Sequence, residues 1–238
     1  MSRLFVTGDT HGDFYRIQDF CMINQTTTDD VIIICGDSGI NYHCDDRDDY
    51  LKQKLAKLPI KFLIVHGNHE ERAWNIESYE CGYIKVGNNQ ILAWYEREYP
   101  NIIFLGDSEM KIINDKKFLF LGGAYSIDKS FRLANKYKWF PSEQMSDYEM
   151  KQVLFSLKSN DDFRKVDYII SHTCPLKYEP IEYFIPEIDQ STVDKRTEIF
   201  LDTVEDLMEY NTWFCGHFHC NKTIDKIRFL FEDIIELR

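Results

Sequence analysis

The sequence predicts an α/β fold with two sheets and helices packed outside them. Three observations predict it. Short apolar runs alternate with amphipathic stretches from the start of the chain to about residue 70. Each of those apolar runs ends in a polar segment marked by glycine. The second half repeats strand and helix patterns, and no low-complexity linker divides the chain. One domain over residues 1–238 is expected.

The elements follow in order. Leu4-Phe5-Val6-Thr7, ended by Gly8, predicts the first strand. Phe14, Ile17, Phe20, Cys21 and Met22 have helical spacing, which predicts a helix from Phe14 to Ile23. Val31 to Cys35 is a β-branched run suited to a strand buried on both faces. Leu51, Leu55 and Leu58 mark a second helix, stopped by Pro59, and Ile60 to Val65 reads as a third strand. A β-α-β-α-β order makes a parallel sheet with right-handed crossovers. Ligands of open α/β sheets bind beyond the carboxyl ends of the strands. The loops after all three strands, at Gly8, Gly36 and Gly67, therefore meet at one sheet edge.

In the second half, Ile102 to Leu105 and Phe118 to Leu121 read as strands. Ser146 and Glu149 fit a capping box that opens a helix reaching Leu157. Val166 to Ile170 reads as a strand ending at Ser171-His172. Phe200, Val204, Leu207 and Met208 give another amphipathic helix, and Trp213 to Glu236 alternates like a strand pair.

Composition narrows the function classes. Hydrophobic residues make up 44% and aromatics 15%, enough for a core and against disorder. The 28 basic and 40 acidic residues give a net charge of -12. An acidic surface repels polyanions, which argues against long duplex nucleic acid as a partner, although bound divalent cations reverse the field locally. The seven cysteines are odd in number and irregularly spaced, as expected for reduced thiols. The chain opens directly into a strand pattern without an apolar leader, and no apolar stretch approaches the roughly 18 residues of a membrane span. A cytoplasmic protein with no membrane partner is expected.

The chemistry lies in the loops. Asp9-x-His11 and His217-x-His219 place metal-ligand types two residues apart, a spacing that in extended backbone puts both on one face. Asp37 offers a carboxylate, Asn68 an amide oxygen and His172 an imidazole. This mixture suits manganese, iron, zinc or nickel rather than calcium. Cys215 and Cys220 flank the last motif and admit a structural zinc site, but no second ligand pair accompanies them. Taken alone, His172 can also be read as a structural histidine.

Asp9-x-His11, Gly36-Asp37, Gly67-Asn68-His69-Glu70, Ser171-His172 and Gly216-His217-x-His219 together resemble the ordered motifs of the calcineurin-like metallophosphoesterases, from residue 9 to residue 219. The resemblance implies a two-sheet fold flanked by helices and two divalent metal ions, manganese first among the candidates. It implies hydrolysis of a phosphomonoester or phosphodiester by a hydroxide held between the metals. Asp9, His11 and His219 are implied as ligands of one metal, Asn68, His172 and His217 of the other, and Asp37 as the bridge. His69 is implied as the proton donor to the leaving group.

The sequence departs from the protein phosphatase branch, which follows the bridging aspartate with x-x-Asp-Arg-Gly. Ile40 and Asn41 stand there instead, so the orienting aspartate and phosphate-gripping arginine of that branch are missing. Arg72, Lys129 and Arg132 are the candidates to contact phosphate in their place. The segment Tyr137 to Pro141 reads either as a lid or as a surface loop. A small or exposed phosphorylated substrate is expected. The rivals are a nuclease or cyclic-nucleotide phosphodiesterase, and a non-catalytic metal-binding scaffold.

Overall fold

A computed structural model describes residues 2–237. The first part follows the expected alternation: β1 (Leu4–Thr7), α1 (Tyr15–Asn24), β2 (Val31–Ile34), α2 (Asp46–Leu55) and β3 (Lys61–Ile64). Helix α2 begins earlier than its leucines suggest, because Asp45 caps it by accepting the Arg47 N–H at 3.0 Å. A hairpin then appears that the apolar pattern does not announce, β4 (Glu80–Val86) and β5 (Asn89–Tyr95). Next come β6 (Ile102–Phe104), β7 (Ser108–Ile113) and β8 (Lys116–Leu121). Helices α3 (Lys129–Ala134) and α4 (Asp147–Ser159) precede β9 (Tyr168–Ser171). The capping box of Ser146 and Glu149 is formed at the start of α4.

After β9 the chain makes three short 3-10 turns, at Leu176–Tyr178, Ile181–Tyr183 and Gln190–Thr192, and enters α5 (Arg196–Leu207). The end is not one strand pair but four strands: β10 (Thr212–Cys215), β11 (Lys222–Ile224), β12 (Ile227–Phe229) and β13 (Ile234–Leu237). Alternation marks strands but not their partners. Three of these join one sheet, and β13 crosses to pair antiparallel with β1 in the other.

The sheets run β13-β1-β2-β3-β6-β5-β4 and β11-β12-β10-β9-β8-β7. In the first, β1, β2, β3 and β6 are parallel; in the second, β8, β9, β10 and β12 are. Period-two alternation explains the layers. Val31 and Ile33 of β2 face Phe118 and Phe120 of β8 in the core between the sheets. Ile32 and Ile34 face the other way, onto Ile17 of α1 and Leu55 of α2. Leu119 and Leu121 likewise pack under α4 and α5 with Trp213. Strands covered on both faces read as unbroken apolar runs, which is why Val31–Ile34 shows no polar alternation. This sandwich brings the loops after β1, β2, β3, β9 and β10 to one edge.

Candidate metal centre

Five loops at that edge carry the ligand types. Asp9 and His11 follow β1, Asp37 follows β2, Asn68 and His69 follow β3, His172 follows β9, and His217 and His219 follow β10. Two groups of ligand atoms result, each within 4.8 Å of one another: Asp9, His11 and His219; and Asp9, Asp37 and His172. In the first, His11 Nε2 and His219 Nε2 lie 2.9 Å apart, at 3.6 and 3.3 Å from Asp9 Oδ2. In the second, His172 Nε2 lies 3.6 Å from Asp37 Oδ2 and 2.8 Å from Asn68 Oδ1. The His217 ring packs edge-on to His172 at 4.9 Å.

The backbone achieves this convergence differently from the extended geometry expected of Asp-x-His and His-x-His. His11, Asp37, His217 and His219 have φ of 45°, 47°, 66° and 49°. The strands have already ended, and left-handed turns swing the side chains inward. Asp and His tolerate that region better than most residues, and such conformations concentrate at functional sites. Two glycines make room. A Cβ on Gly67 would sit 2.0 Å from Asp37 Oδ1, and one on Gly216 2.0 Å from Asp9 Oδ1. Without them the carboxylates could not accept the N–H groups of His69 at 2.8 Å and His217 at 2.9 Å.

Further residues brace the loops. The Arg16 guanidinium on α1 donates to the Asp9 carbonyl at 2.7 Å. The buried Glu70 carboxylate accepts from Ser38 N–H, Ser38 Oγ and Gly67 N–H, tying the β2 and β3 loops together. Asn68 Nδ2 donates to Ser126 Oγ at 2.9 Å, which fixes the amide so that its oxygen faces His172. Ser126 N–H in turn donates to Glu143. Arg16 carries no motif, so its part was invisible in the sequence, whereas Ser126 closes the Gly122-Gly123-Ala124-Tyr125-Ser126 segment after β8, whose sequence admits either a tight turn or contact with the site. Glu70 stood inside a motif without an assigned part.

Charges follow from this packing. Burial favours a neutral Asp37, but His172 and His69 hold it well below the usual carboxylate range. Burial opposes a charge on His172 too, and the Asp37 carboxylate overcomes it, raising the imidazole to about 9. His217 keeps part of its surface in solvent, yet close packing and the neighbouring His172 push it down to about 3. His69 is lowered by burial, with Asp37 opposing and Arg132 assisting.

The donor set fits divalent metal ions. Asp9 Oδ2 is buried and has no hydrogen-bond partner, an arrangement costly for a carboxylate unless a cation completes it. His172 faces the Cys35 carbonyl through Nδ1 at 2.8 Å, which leaves Nε2 toward the cluster, the usual second partner of a metal-bound imidazole. Among the described residues, no group that includes a cysteine gathers three ligand atoms, so the Cys215–Cys220 pair forms no zinc site.

The three cations expected at phosphate are placed differently. Arg132 Nη2 lies 3.4 Å from His69 Nε2, and Nη1 donates to Tyr42 Oη. Arg72 is not brought to the site. It is fully buried and its guanidinium is spent on Asp107, the Gly67 carbonyl and the Glu143 carbonyl. Asp107 is thus an anchor for the β3 loop. The Lys129 ammonium sits over the Trp139 ring at 4.1 Å. Trp139 donates to Glu143 and Phe140 is buried, so Tyr137 to Pro141 is partly anchored in the protein body. Ile40 is buried and Asn41 accepts from Tyr79 Oη.

Among solved structures, one aligns over 96% of this chain and 89% of its own, at 11% identity and a TM-score of 0.52, which supports a shared fold. A protein of unknown function from Aquifex aeolicus aligns at 12% identity and a TM-score of 0.43, over 99% and 96% of the two chains. A novel archaeal phosphodiesterase aligns at 12% identity and a TM-score of 0.37, over 96% and 82%. No curated protein matches the chain significantly. The profile of the calcineurin-like phosphoesterases matches residues 2–221. Matched nearly from end to end, the chain belongs to the calcineurin-like phosphoesterase family.

Proposed function

We propose that this chain is a single-domain hydrolase of phosphate esters that works with two divalent metal ions, manganese foremost. The observation that carries the reading is the pair of acid–imidazole clusters joined through Asp9 at the edge of both sheets. Asp9, His11 and His219 would hold one ion, Asn68, His172 and His217 the other, with Asp37 between them. When bound, such ions supply positive charge to the phosphoryl oxygens and make water easier to deprotonate.

The protein's own groups do the rest. Arg132 offers its guanidinium to a non-bridging phosphoryl oxygen, beside His69. His69 donates a proton to the leaving oxygen, as general acids do for a gain of ~10²–10⁴-fold. Burial keeps His69 neutral in the resting site. A phosphate dianion placed against it favours the imidazolium, so substrate itself charges the acid. The free cysteines suit a cytoplasmic location. Among the described residues no helix is long and apolar enough to cross a membrane.

The test is to strip the protein, reload it with manganese and assay p-nitrophenyl phosphate, bis-p-nitrophenyl phosphate and an alkyl phosphate. Wild type should hydrolyse at least one of them only with metal, and Asp37→Asn should be inactive. His69→Asn should lose ~10²–10⁴-fold on the alkyl ester and less on the nitrophenyl esters, whose leaving group needs little protonation. Metal binding without hydrolysis of any ester would leave a metal-binding scaffold.

A further inference from the structure

Two cavities meet at His69 and His219, and they differ in character. One, of about 680 Å³, is lined by His11, His43, Arg47, Lys54 and Arg132 and is rich in cationic groups. The other, of about 470 Å³, opens from Asp37, Asn68 and His217 and runs under the 3-10 turns between β9 and α5. Its wall is largely apolar: Ile127, Phe184, Ile185, Ile188, Val193 and Phe218. The Phe184 and Phe218 rings stack at 6.1 Å. Ile127 and Ile185 are 37% and 51% exposed, so apolar surface is held in water directly beside the catalytic groups.

Most charged groups of this second cavity are already paired. Among the described residues Lys195 is its only lysine or arginine, and that ammonium is 2.7 Å from Glu179 and 4.7 Å from the Phe184 ring. Asp128 is bound by Arg132. Glu198 accepts from Thr173 through Oε1, while its other carboxyl oxygen is buried without a partner. The wall therefore holds more carboxylates than cations and offers no free cation to a second anionic group. Cavities of this volume, apolar with a few fixed polar groups, are the usual form of a small-molecule site.

We propose that this cavity receives the organic group of the substrate, and that the group is an uncharged, largely apolar body, aromatic or alkyl, attached to the phosphate. The inference rests on the phosphoesterase reading and specifies its substrate class. The phosphate lies at the ligand clusters and toward Arg132, while the ester group covers Ile127, Ile185 and the Phe184–Phe218 stack. Esters bearing a second phosphate or a carboxylate on this side are poor substrates, because they set a second anion against apolar and acidic walls.

Phosphonates test this without turnover, since their carbon–phosphorus bond is not hydrolysed. Binding of methyl-, butyl-, hexyl-, benzyl- and para-carboxybenzylphosphonate to the manganese-loaded protein is measured by calorimetry. Affinity should rise about fourfold per added methylene that the cavity buries. Benzylphosphonate should bind more tightly than methylphosphonate and more tightly than its carboxylated analogue. Ile127→Asp and Ile185→Asp, at exposed positions that do not threaten the fold, should each reduce the hexyl-to-methyl ratio. Equal affinities along the alkyl series, or tighter binding of the carboxylated analogue, would overturn the proposal and leave the phosphoesterase reading standing. Failure of every phosphonate, methyl included, together with no hydrolysis of p-nitrophenyl phosphate, would bring down both.

Discussion

The two ligand clusters share Asp9 but live in different surroundings. In the outer one, the His11 and His219 side chains are 37% and 50% exposed, and their Nε2 atoms meet each other and Asp9. In the inner one, His172 and Asp37 are 0% and 2% exposed, and every partner is itself held: His172 by the Cys35 carbonyl, Asn68 by Ser126, Asp37 by the His69 N–H. The inner cluster is built into the sandwich, while the outer one is added at its rim. Burial makes a site rigid but leaves its charges dependent on one another. Exposure makes a site easy to enter and easy to leave.

The largest expected effect separates the two directly. In the metal-free protein His172 is the protonated partner of a buried carboxylate. Its removal should destabilise the metal-free protein by about 3–5 kcal/mol and abolish inner-site binding. His219→Ala should cost less than about 1 kcal/mol and leave close to one equivalent of manganese bound. Denaturant melts and metal analysis of the two variants check this, and equal losses from both would erase the distinction.

A smaller effect sharpens it. Ser126→Ala frees the Asn68 amide to rotate and should weaken the tighter manganese equivalent by ~10–100-fold, with the outer equivalent little changed. Competition against a chelator of known affinity resolves the two equivalents. A third effect is a slope. Burial and the nearby Asp37 charge raise Glu70 from its ordinary 4.5 to about 7. Between those values the unfolded chain has released this proton and the folded one retains it. The stability of the metal-stripped protein therefore falls as pH rises from 4.5 to about 7. Glu70→Gln should remove that part of the slope in melts run at several pH values.

The inner loops were more legible in the sequence than their supports. Gly36-Asp37 and Gly67-Asn68 follow apolar runs, so local pattern alone put them at strand ends. The β4–β5 hairpin was not legible, because it is half-exposed and interrupts its apolar positions with Glu80, Gly82 and Lys85. Of the three cations singled out, the sequence could not say which reaches His69. That depends on α3 folding back onto the β2 loop through Arg132 and Tyr42, 90 residues apart. The apolar cavity was equally hidden, since Ile127, Phe184 and Phe218 lie on three separate segments that only the tertiary fold brings together.

Strand β13, pairing with β1, has a consequence for when the outer cluster comes into being. His11 and His219 stand 208 residues apart in the chain. Their loops are aligned by a sandwich whose first sheet takes in the last strand of the fold. On a ribosome, Asp9, His11 and Asp37 emerge well before His172, His217 and His219 and wait for them to complete the two clusters. Contacts of such long separation form late. A half-made chain thus presents scattered carboxylates and imidazoles, and the geometry of the clusters arrives only once β10 and the loop after it have been made.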